Sequence, residues 1–184
     1  SHNTVGSING KDIDLQDFNN KVDEYTNVIK TSNGLTNLSD EQMQSIRDQV
    51  WQNLVETELI ASETDELGLT VTDNELLQIL LKGEHPMLQQ TPFRNQQGKF
   101  DYTLLKQTLD QCNEILTTAD ASADMVEEAR SLTQWWKFIE DNLRNTILAQ
   151  KYQSLLVASI LSNPVEAQQN FDARTNEKTL LMAA

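Results

Sequence analysis

Apolar residues recur along the chain at two different spacings, and these predict a short hairpin followed by a series of helices. Val5 and Ile8 precede Asn9-Gly10, and Lys11 to Asp14 follow. Asn-Gly accepts positive φ at both central positions of a type I′ turn, so Thr4 to Asp14 reads as a β-hairpin. A two-stranded ribbon is marginal alone and needs another strand or a helix to lie on. Leu15, Phe18, Val22, Tyr25 and Ile29 then follow three-to-four spacing, the buried stripe of a helix over about 15–31. Asp14 is placed to cap that helix, and Asn33-Gly34 to end it.

Ser39 with Gln42 makes a capping box that opens a long helix. Met43, Ile46, Val50 and Leu54 form its stripe, broadened by Trp51, Val55 and Leu59, and Gly68 is placed to close it in the left-handed conformation. Thr72 with Glu75 is a second capping box. The short helix behind it carries Leu76, Leu77, Ile79, Leu80 and Leu81 and stops before Gly83. Residues 83–99 hold Pro86, Pro92 and Gly98 and read as a loop. A short helix over about 101–111 carries Tyr102, Leu105 and Leu109, and 112–124 reads either as a connection or as a further helical turn. From about Ser122 helical spacing resumes and runs to Ile160, a rod of roughly 55 Å at ~1.5 Å per residue. Such a rod must kink, protrude or pack against something outside its own globule. Pro164 suits the first turn of a helix over about 164–174, and the uncharged 178–184 reads as a strand that would join the hairpin. The expected architecture is mainly α, with two long helices and a small sheet joining the N- and C-terminal segments. Ser1-His2-Asn3 reads as a tag remnant, and 4–184 as a single module.

Charge and composition narrow the chemistry. The formal charge is −14 over 184 residues, with a pI near 4.4. That disfavours nucleic acid, which is bound by concentrated Lys and Arg, and anionic lipid surfaces. No apolar run approaches the ~18 residues of a membrane span, so no membrane-embedded segment is expected. The 17 Gln and 16 Asn are scattered, which suits polar helix faces rather than a low-complexity tract. Cys112 is the sole cysteine, so no internal disulfide is possible. One cysteine and His85, the histidine outside the tag remnant, do not make a closed zinc site, and a Cys112–His85 dyad has no evident orienting third group. Asp12, Asp14 and Asp17 lack the spacing of a calcium loop, and Glu56, Glu58, Glu63, Asp65 and Glu66 read as a solvated helix face. No cofactor, metal site or catalytic residue is expected. Large adaptable side chains are the more informative set: Met43, Trp51, Met87, Phe93, Trp135, Trp136 and Phe138 are the candidate apolar contact surface.

The order of motifs resembles the N-terminal chaperone region of the SurA/PpiD family of periplasmic peptidyl-prolyl isomerases. VGSINGKDIDLQDFNNKVDEY is similar to the family's opening, through Val5, Ile8, Asn9, Gly10, Ile13 and Phe18. VWQNLVETELIASETDELGLTVTDNEL matches through Leu67, Gly68, Leu69, Val71, Asp73 and Glu75, and NQQGKFDYTLLKQTL through Gly98, Phe100 and Asp101. Residues 112–134 depart from the pattern as an insertion. The resemblance implies a SurA-like N-terminal chaperone domain, a client-binding module of a cell-envelope folding factor. It would hold unfolded or nascent envelope polypeptides in an apolar helix-lined groove. The fragment itself would not be an enzyme. Its parent would be a parvulin-type isomerase, in the periplasm or anchored to the inner membrane, with the isomerase domain downstream of 178–184. The alternative is a structural module, a homodimer whose long helices bury their stripes against a second copy.

Overall fold

The computed structural model describes residues 3–162. The helix expected over 164–174, the strand expected over 178–184, and Ser1 and His2 of the expected tag remnant lie outside the described residues. In chain order the elements are β1 (Thr4–Ile8), β2 (Lys11–Asp14), α1 (Leu15–Asn33), α2 (Asp40–Glu66), α3 (Asp73–Lys82), α4 (Pro86–Gln89), α5 (Tyr102–Thr117) and α6 (Ala123–Ser162). The protein is mainly helical, with one two-stranded antiparallel sheet among the described residues.

Local chemistry explains most boundaries. Asn9 and Gly10 both take positive φ, 51° and 77°, as the hairpin turn requires. Asp14 accepts from the Gln16 N–H and starts α1. Both capping boxes are complete: Ser39 with Gln42 opens α2, and Thr72 with Glu75 opens α3. Each such cap satisfies N–H groups that the first turn otherwise leaves without partners, at about 1 kcal/mol.

Two expectations change. The helix expected over 101–111 runs on to Thr117, because Leu105, Leu109, Cys112 and Leu116 continue one stripe past the small polar residues. Residues 112–117 are therefore helix, and the connection is 118–122. The loop over 83–99 contains a single helical turn, α4, capped by the His85 side chain, which accepts from the Met87 N–H at 3.2 Å.

The described residues divide into two compact units, residues 3–70 with 145–162 and residues 71–144. In the first unit Phe18, Val22, Ile46 and Val50 form a core between α1 and α2, joined by Ile13, Tyr25, Ile29, Leu38, Met43, Trp51 and Leu54. Ile8, Val55 and Leu59 make a second cluster that fastens the hairpin to α2. Trp51 belongs to both. Its ring meets Phe18 edge to face at 6.1 Å, and its Cη2 stands 2.6 Å from where a Cβ on Gly6 would lie. Gly6 is thus the residue that lets the strand lie on the indole. Arg47 stacks over the outer face of Phe18 at 5.2 Å. The C-terminal part of α6 is tied in by Tyr152, whose hydroxyl donates to Glu63, and by Lys151, whose Nζ donates to the Thr70 carbonyl at 2.8 Å.

The second unit is built from α3, α4, α5 and the first part of α6. Its buried apolar residues include Leu76, Leu80, Leu88, Phe93, Phe100, Leu105, Cys112, Ala129 and Trp136. The segment from Thr91 to Asp101 is held by its own hydrogen bonds. Asn95 Oδ1 accepts from the N–H groups of Gln97 and Lys99, Asp101 N donates to the Phe93 carbonyl, and Arg94 donates to the Gln89 carbonyl. Gly83 closes α3 at φ 68°, and a Cβ there would stand 2.9 Å from the Phe100 carbonyl oxygen. Only glycine meets both demands. Arg144 anchors α6 to the start of α3, donating to the Val71 carbonyl at 3.2 Å and to Asp73 at 2.5 Å.

Candidate functional site

The seven candidate contact residues separate by unit and by use. Met43 and Trp51 lie in the first unit and serve its core. In the second unit Phe93 is 8% exposed and its ring lies 6.1 Å from that of half-buried Trp135. Met87 on α4 and Phe138 on α6 are half-buried. Trp136 is only 6% exposed, yet it lines two open cavities on the second unit.

Those two cavities adjoin, with Leu109, Trp136 and Glu140 in the walls of both, and together they make the furrow. One part, about 490 Å³, lies among α3, α5 and α6 and is lined by Leu76, Leu77, Leu80, Tyr102, Leu105 and Leu109 with Trp136. The other, about 340 Å³, lies between α5 and α6, with Leu109, Leu116, Thr133 and Trp136 in its walls. Both volumes fall in the range of ligand sites. The furrow follows α5 from Tyr102 to Leu116, about 21 Å at ~1.5 Å per residue. Its floor is apolar because each helix presents more leucine than one neighbour can cover. α3 has five apolar residues among six successive positions, Leu76 to Leu81. Leu77 and Leu81 therefore remain exposed, Leu81 at 57%, as do Leu104 and Leu116 on α5.

The charged residues at the furrow are paired. Lys106 meets Asp110 at 2.9 Å, Lys137 meets Asp141 at 3.5 Å, and Arg144 meets Asp73 at 2.5 Å and Glu140 at 3.6 Å. The hydrogen bond to Asp73 raises the Arg144 pKa, and that to Asp110 raises the Lys106 pKa. Behind the furrow Cys112 is buried. Loss of hydration raises its thiol pKa, against a hydrogen bond from Thr133 that lowers it. A raised pKa and burial both oppose nucleophilic use of this thiol.

Sequence reasoning pointed to Trp136 but passed over the leucines that surround it. Leu77, Leu109 and Leu116 look like ordinary stripe positions. The available signal was the excess of leucine on α3, too much for one buried face. A separate cavity in the first unit, about 460 Å³, has a polar lining of Tyr25, Ser45, Asp48, Gln49, Gln52, Asn53 and Glu56.

Fold and furrow together define a helical module with an open, leucine-lined furrow on its second unit. A family model of the SurA-like N-terminal domain matches residues 1–109, more than half of the chain. The chain belongs to that family and is a chaperone-type module of a SurA-like protein. SurA-like domains are typically periplasmic. Comparison with curated proteins and with solved structures gave no match. Among the described residues no helix is long and apolar enough to cross a membrane.

Proposed function

We propose that this chain holds unfolded envelope polypeptides in the furrow of its second unit, as the client-binding part of a periplasmic folding factor. The observation that carries the reading is Trp136 in the shared wall of two adjoining open cavities, with exposed Leu77 and Leu116 among their lining residues. Family membership supports the chaperone class, and the channel supports the mode, burial of client side chains. A client that buries roughly 300 Å² of apolar surface gains ~7 kcal/mol at ~25 cal/mol per Å², before the costs of ordering. Those costs leave micromolar or weaker binding, with the fast exchange that a holding protein needs. The work is holding rather than chemistry, and peptidyl-prolyl isomerisation belongs to another domain of the parent.

The test is aggregation of an unfolded outer-membrane protein, followed by light scattering with and without this chain. The reading expects suppression at micromolar concentrations, lost in Leu116→Glu with the helical circular dichroism intact. Equal suppression by that variant would remove the furrow from the function. Prolyl isomerisation of a test peptide is expected at background.

A further inference from the structure

The furrow's rim answers a question that the overall charge answers differently. A chain of formal charge −14 favours encounters with basic partners. At the furrow, however, four carboxylates face three cations, and each of the seven belongs to an ion pair. On α5 the pair is Lys106 with Asp110. On α6 it is Lys137 with Asp141, while Arg144 serves both Glu140 and Asp73. Pairs at three-to-four spacing along a helix leave little field beyond themselves, and salt screens what remains. An incoming lysine would have to compete for carboxylates already engaged, and an incoming aspartate for cations already engaged. An apolar side chain faces neither competition and gains the Leu109, Leu116 and Trp136 surface.

Building on the proposed holding function, we infer that the furrow selects uncharged apolar segments, of about six extended residues, and does not take basic ones. The length follows from the channel: about 21 Å along α5 at ~3.3 Å per extended residue. The self-paired rim sets the charge preference of the site, so affinity at physiological salt is governed by apolar area and not by the sign of the chain.

The test uses fluorescent peptides with one apolar core and three kinds of flank: uncharged, a pair of lysines, or a pair of aspartates. Binding is read by anisotropy at about 0.15 M and about 0.5 M salt. The uncharged peptide is expected to change affinity by less than about twofold with salt, and the lysine peptide to bind no more than about twofold tighter than the uncharged one. Leu116→Glu should weaken the uncharged peptide by about tenfold or more, placing it in the furrow. The double variant Asp110→Asn with Asp141→Asn frees Lys106 and Lys137, and should gain about threefold or more for the aspartate peptide, a gain that salt removes. A lysine peptide bound about tenfold tighter, and released by salt, would overturn the inference while leaving the holding function standing. Failure of every peptide to bind, together with unsuppressed client aggregation, would remove the holding function as well.

Discussion

The two units spend the same kind of residue in opposite ways. In the first, Trp51 is spent on the fold, held between Phe18 and the backbone of Gly6. In the second, Trp136 is buried like a core residue, more fully than half-buried Trp51, but the surface it keeps lines two open cavities. The difference comes from the neighbours. α1, α2 and the hairpin close around a shared set of apolar side chains in two linked clusters. α3 and α5 carry leucine on more than one face, and the surplus lines the furrow. A tryptophan is therefore a candidate contact residue only where its surroundings leave apolar surface uncovered.

Trp51→Ala should separate these roles most sharply. It removes the wedge under the hairpin, and a loss of about 3–5 kcal/mol is expected in chemical denaturation. Hydrogen exchange should show the β1 and β2 amides exposed first. Retained stability would mean that the indole is free for other work. Gly6→Ala attacks the same contact from the strand side. The new Cβ would fall 2.6 Å from Trp51 Cη2, so about 1–3 kcal/mol is expected, relieved when Trp51 is also made smaller. Thr72→Ala removes the capping box of α3 in the second unit, at about 1 kcal/mol. A thermal scan should show that loss with the hairpin amides unaffected.

The smallest expected effect depends on pH. Burial lowers the His85 pKa below its ordinary 6.5, so the fold favours the neutral ring, whose Nδ1 accepts from Met87 N–H. A lowered histidine pKa contributes stability that is complete above 6.5 and is lost as pH falls through the folded value. Denaturation midpoints should therefore decline modestly from neutral to mildly acidic pH. His85→Ala should remove that part of the slope, and an unchanged slope would take His85 out of the account.

Much of the architecture was legible because it rests on local chemistry. Asn9-Gly10, the Ser39 and Thr72 boxes, and the stripes of α1, α2 and α6 each carry their own signal. The end of α5 was hidden because Asn113 and Thr117 are weak helix formers and the stripe that continues the helix, Cys112 with Leu116, has only two members past residue 111. α4 was hidden because one turn has no period to read. The candidate site was legible only at Trp136. That Trp51 is structural depends on Gly6, forty-five positions away in the chain, a contact that no helical spacing announces. That Leu109 and Leu116 line an open cavity depends on which helix faces are covered, a tertiary fact.

The central claim is that the open leucine surface of the second unit, rather than the core-packed aromatics of the first, does the holding. The most direct measurement compares Leu116→Glu with Trp51→Phe in suppression of client aggregation, at a temperature where circular dichroism shows both folded. The account predicts that Leu116→Glu loses suppression and Trp51→Phe keeps it. The reverse pattern would contradict the account.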